Sequence, residues 1–140
     1  MKYDRVINYL IDNYELKQEY TFDEIKELFN IDMHDFYDEM KDYINPNYII
    51  EVSFLKYKVI INRHIKLSLD NKITDIRGSK WDSIITFENG YKLKCYGELD
   101  YDGFTMYTNS LKISNEEKII LRELLEENKK KTTDSFITIK

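Results

Sequence analysis

Apolar residues change their spacing at Asn45-Pro46-Asn47, and that change constrains the first half of the fold more than any motif. Before it, Tyr3, Val6, Ile7, Leu10, Ile11 and Tyr14 recur at intervals of three and four, which predicts a helix with one apolar face. Thr21 and Glu24 stand three apart ahead of Ile25, Leu28 and Phe29; this is the spacing of a capping box, and it opens a second helix. Asp32 can cap a third helix, running to about Tyr43 and burying Met33, Phe36, Tyr37, Met40 and Ile44. Pro46 ends the helical pattern, because proline cannot supply the next amide. Beyond it the period becomes two. Tyr48, Ile50, Val52 and Phe54 alternate in one run and Tyr57, Val59 and Ile61 in the next, with Leu55-Lys56 at the join.

Three helices followed by a hairpin over residues 3–62 resemble the winged-helix superfamily in order, turn length and capping pattern. The resemblance implies a compact helical unit whose third helix takes the place of a recognition helix and whose hairpin is the wing. Residues 1–62 are expected to form this unit, and 63–140 a second one.

The second half alternates Ile65, Leu67 and Leu69 before a turn at Asp70-Asn71-Lys72. "WDSIITF" and "YKLKCY" flank Glu88-Asn89-Gly90, and Asn-Gly favours a tight hairpin because both residues tolerate positive φ. "FTMYT" follows the turn signal Asp102-Gly103. Ser114 and Glu117 repeat the capping-box spacing ahead of Ile119, Ile120, Leu124 and Leu125, and "SFITI" closes the chain. The expectation is an α+β protein: a winged-helix-like unit of three helices and a β-hairpin, then a small antiparallel sheet packed with one helix. Residues 85–140, with Gly97-Glu98-Leu99, Ser110-Leu111 and a helix before the last strand, look like a group of small bacterial immunity proteins that neutralise toxins.

Chemistry is sparse. Gly78, Gly90, Gly97 and Gly103 are isolated, so no glycine-rich phosphate loop exists. "DYDG" at 100–103 lacks the further ligands and the Glu of a calcium loop and reads as a turn. His34 and Asp38, one helical turn apart, make too small a set for a metal site. The single cysteine, Cys95, excludes an intrachain disulfide and sits on an alternating run as a small packed hydrophobe. No cofactor and no enzymatic activity are expected. No apolar run approaches the roughly 20 residues of a membrane span, and the N-terminus is not a signal peptide, so a cytoplasmic protein is expected.

Charge is the feature that carries function. The net charge is −5, yet residues 1–51 hold five Lys+Arg against thirteen Asp+Glu. Residues 21–42, where a DNA-reading pair of helices would dock, hold eight acids and two bases. Phosphates repel such a surface, since DNA affinity rests on Lys and Arg. Asp35, Asp38, Glu39 and Asp42 fall at i, i+3, i+4 and i+7 on the third helix, with Asp32 at its start, and form one carboxylate face. That face suits a basic protein partner, and the twelve tyrosines add interface-forming side chains. In size, acidity and lack of catalytic groups the chain is similar in kind to small phage inhibitors of nucleases and CRISPR effectors. The reading is a stoichiometric inhibitor acting as a nucleic-acid mimic. The alternative is a winged-helix transcription regulator that meets DNA through Lys56, Lys58, Arg63 and Lys66.

Overall fold

The computed structural model describes residues 2–78, 82–100, 103–107, 111–131 and 137–139. Trp81, Tyr101, Asp102, Thr108, Ser110, Ser135 and Phe136, which the sequence reading places in strands or turns, lie outside them. The chain is α+β and divides into two compact units, Met1–His64 and Ile65–Lys140.

The first unit runs α1 (Asp4–Asp12), β1 (Glu19–Thr21), α2 (Phe22–Phe29), α3 (Met33–Met40), β2 (Tyr48–Ser53) and β3 (Lys58–Arg63). The apolar spacing of α1 puts Val6, Ile7 and Leu10 inside, with Tyr3 just ahead of them. Thr21 Oγ1 accepts the Glu24 amide at 3.1 Å while Glu24 Oε1 accepts the Thr21 amide at 3.4 Å, the reciprocal cap that the sequence predicts for α2. Asn30 ends α2 in the left-handed region, at φ +49°, and donates its amide to the Lys26 carbonyl. Asp32 caps α3, accepting the amides of His34 at 2.8 Å and Asp35 at 3.3 Å. Asn45 Oδ1 accepts the amides of Asn47 and Tyr48 and so turns the chain around Pro46 into β2.

Strand β1 is absent from the sequence expectation. It separates α1 from α2 and pairs antiparallel with β3, Tyr20 opposite Val59, giving the sheet order β1-β3-β2. The hairpin turn is also longer than expected. Ser53 pairs with Lys58, so Phe54 and Tyr57 belong to the turn with Leu55 and Lys56. Two residues expected inside are not: Leu28 is 51% exposed and Ile44 50% exposed, the latter because α3 ends at Met40. The core gathers Leu10, Ile25, Phe36, Met40, Val59 and Ile61, all fully buried.

The second unit holds β4 (Ile73–Gly78), β5 (Asp82–Phe87), β6 (Lys92–Asp100), β7 (Gly103–Met106), α4 (Asn115–Lys131) and β8 (Ile137–Ile139), with sheet order β4-β5-β6-β7-β8. The sheet is mixed rather than antiparallel throughout: β7 and β8 pair in parallel. A parallel pair needs a crossover, and α4 lies in that connection. Residues 65–69 form no strand; Leu67 is buried there while Ile65 and Leu69 are exposed. The Leu67 amide donates to Glu117 at 3.0 Å, and the same carboxylate closes the capping box with Ser114. At the β5–β6 turn only Gly90 takes positive φ, at +87°, whereas Asn89 Oδ1 accepts the Tyr91 amide. Among the described residues no helix is long and apolar enough to cross a membrane.

Candidate functional site

The five carboxylates of the α3 region meet different fates. Asp32 is occupied with the amides of the helix it caps. Asp35 turns back toward the start of the chain, where its Oδ2 accepts Lys2 Nζ at 2.6 Å and the Tyr3 phenol. Those two hydrogen bonds, Lys2 first, hold its carboxyl below the usual aspartate range. Asp38 has His34 Nδ1 and Lys41 Nζ, each at 3.5 Å, in open solvent where such pairs contribute little. Glu39 and Asp42 are exposed and make no hydrogen bond or ion pair with the described residues. The face open to a partner is therefore Asp38, Glu39 and Asp42; Asp32 and Asp35 belong to the fold.

Of the candidate basic residues in the first unit, Lys58 and Arg63 are already paired. Lys58 Nζ stands 3.5 Å from Glu19 across the β1–β3 pair. Arg63 pairs with Glu15 while its guanidinium lies over the Tyr14 ring at 5.3 Å. Lys56, at the tip of the β2–β3 turn, is exposed and without an ion pair to the described residues. Lys66 belongs to the second unit.

The turn itself carries a feature that the strand pattern hid. Phe54 is the hub of an aromatic cluster, edge-on to Phe22 at 5.0 Å and to Tyr37 at 5.1 Å and tilted against His34 at 5.4 Å. Tyr57 stands edge-on to Phe22 at 5.7 Å. Phe22, Met33, His34, Phe54 and Tyr57 line a concavity rimmed by Asp23, Lys26, Asp32 and Lys56. Beside it Leu55 projects with 96% of its surface exposed. The signal is legible in "FLKY": hairpin turns favour Gly, Asn, Asp, Pro and Ser, and four large side chains in their place call for a reason.

His34 and Asp38 meet at 3.5 Å on the helix surface, and among the described residues no three His, Cys, Asp or Glu cluster as metal ligands. What the face can do is present charge and apolar surface side by side. Comparison with protein-family models, curated proteins and solved structures returns no match.

Proposed function

We propose that this protein is a non-enzymatic inhibitor that binds a basic, nucleic-acid-handling protein such as a nuclease or CRISPR effector. The contact is made through Asp38, Glu39 and Asp42, which stand where phosphates would. In this reading the first unit is winged-helix-like, with α3 in the recognition position and the β2–β3 hairpin as wing. The protein works in the cytoplasm in the manner of an anti-CRISPR or toxin-immunity protein. The observation that carries the reading is the exposure of two carboxylates on α3, Asp38 and Glu39, and of Asp42 in the turn just beyond it, Glu39 and Asp42 having no partner among the described residues, in a stretch holding eight acids and two bases. Such a surface steers a cationic partner from a distance and repels duplex DNA.

The rival reading, DNA contact through the wing, asks Lys58 to leave Glu19 and Arg63 to leave Glu15 before either can neutralise a phosphate. Exposed pairs of this kind cost little to break; what weakens the case for a regulator is the excess of acids over bases in residues 21–42, which phosphate would meet.

The test is a tagged pull-down from host lysate, eluted in a salt gradient and compared with the triple variant Asp38→Asn/Glu39→Gln/Asp42→Asn. One basic, nucleic-acid-binding protein released at moderate salt from wild type, and lost from the variant, is the expected result. Retention of the same partner at the same salt by the variant would defeat the proposal. Recovery of DNA with no protein partner would favour the regulator.

A further inference from the structure

Charge alone makes a weak anchor, and the structure offers an apolar one beside it. Asp38 touches His34 at 3.5 Å, and the His34 ring meets Phe54 at 5.4 Å, so the acidic face of α3 runs without a break into the aromatic concavity and the exposed Leu55. Tyr57 closes the turn at φ +51°, a backbone region that bulky side chains rarely adopt. Its carbonyl accepts the Phe22 amide at 2.9 Å, which pins the turn to the start of α2. A glycine or asparagine would fit that backbone without strain. The sequence instead keeps a ring there that is 65% exposed, in a turn presenting Leu55 to solvent. Strain held in place by neighbouring structure, next to exposed apolar surface, is a recurrent mark of a binding site.

We infer that this turn is the apolar half of the α3 binding face, and that it takes a basic amphipathic segment of the protein partner. The segment's apolar residues pack against Leu55, Tyr57 and the Phe22–Phe54 concavity while its Lys and Arg meet Asp38 and Glu39. The inference rests on the acidic-face reading for the sign of the partner's charge. Lys26 and Lys56 on the rim are offset there by Asp23 and Asp32, and the net surface of residues 21–42 remains strongly negative, so an acidic segment is repelled. Helix-in-groove binding of this kind needs an apolar stripe of three or four side chains, a size the concavity suits.

The probe is a synthetic amphipathic helix with leucines on one face and lysines and arginines on the other, titrated into the full-length protein. Binding is read by fluorescence anisotropy and by amide chemical shifts. Leu55 contacts so little that Leu55→Ala leaves the fold unchanged, which a thermal melt verifies. The expected result is shifts at Leu55, Tyr57 and the α3 residues, with affinity falling at least about fivefold in Leu55→Ala. A matched peptide with serine for leucine should not bind. Equal binding of the serine peptide, or of the leucine peptide by Leu55→Ala, would overturn the apolar anchor even if salt sensitivity persisted. Full binding by Asp38→Asn/Glu39→Gln/Asp42→Asn together with loss in Leu55→Ala would overturn the acidic-face reading and leave the apolar site standing. Shifts at the turn with duplex DNA and none with the peptide would overturn both.

Discussion

The Tyr3 phenol donates a hydrogen bond to the carboxylate of Asp35, thirty-two positions along the chain, and Lys2 reaches the same oxygen at 2.6 Å. This contact ties the residue that opens α1 to the first turn of α3. It also removes Asp35 from the surface that a partner could use. Burial, first, and the neighbouring carboxylate push the Tyr3 phenol above its ordinary value, while the Asp35 carboxyl is held below its own.

The pH dependence follows from those directions. A carboxyl with a depressed pKa in the folded state adds stability above its ordinary value of about 3.9, and the gain disappears as pH falls through the folded value. The Asp35→Asn variant should therefore be less stable than wild type at pH 7, and the gap should close below about pH 4. Urea midpoints at pH 7, 4 and 2.5 check this. Tyr3 works in the other direction: its raised value means that stability is kept below pH ~10 and lost as the phenol ionises. Tyr3→Phe should cost on the order of 1 kcal/mol at neutral pH. A gap for Asp35→Asn that persisted unchanged at pH 2.5 would mean that the hydrogen bonds are not ionic.

Cys95 is fully buried on β6, and burial pushes its thiol up to about 12. Thiol chemistry runs through the thiolate, so the native protein should not react with a disulfide reagent at pH 8. In guanidinium one thiol per chain should titrate at once. Rapid reaction of the native protein would show that the second unit opens locally.

Across the ladder, Ser83 pairs with Cys95, and the Ser83 hydroxyl is buried with no hydrogen-bond partner among the described residues. A buried hydroxyl without a partner keeps its desolvation cost and recovers nothing for it. Ser83→Ala should therefore raise stability, by on the order of 1 kcal/mol, with a measurable increase in melting temperature. A clear loss of stability would mean that the hydroxyl is bonded in solution.

Local signals were legible and distant ones were not. The spacing of Thr21 with Glu24 and of Ser114 with Glu117 encodes a cap within three residues, and both boxes are present. Strand β1 has only three residues, too few for alternation to show; what makes it a strand is Val59, thirty-nine positions beyond Tyr20. The parallel β7–β8 pair depends in the same way on a partner across α4. Strand β4 does not show in the sequence, because Ile65, Leu67 and Leu69 offer a cleaner alternation than residues 73–78 do. Helical spacing placed Asp35 on the same face as Asp38, but nothing local reveals that Tyr3 and Lys2 claim it. The aromatic turn is hidden for a different reason: Phe54 and Tyr57 fit the strand period of the runs that become β2 and β3.

Two residues in the first unit sit in the left-handed backbone region without being glycine, Asn30 at φ +49° and Tyr57 at φ +51°. They separate conformational strain from packing. Asn30 is a residue type that tolerates this region at a helix C-cap, so Asn30→Gly should be close to neutral and Asn30→Ala should cost about 1 kcal/mol. At Tyr57 both Gly and Ala remove the ring that meets Phe22, but only glycine relieves the backbone. Tyr57→Gly should therefore be more stable than Tyr57→Ala by about 1 kcal/mol, a difference that the lost ring contact cannot produce because the two variants share it. Denaturant unfolding of the pair measures the strain directly. If alanine proved as stable as glycine, the turn would relax out of the left-handed region in solution, and the backbone that presents Leu55 to solvent beside the aromatic concavity would not be fixed.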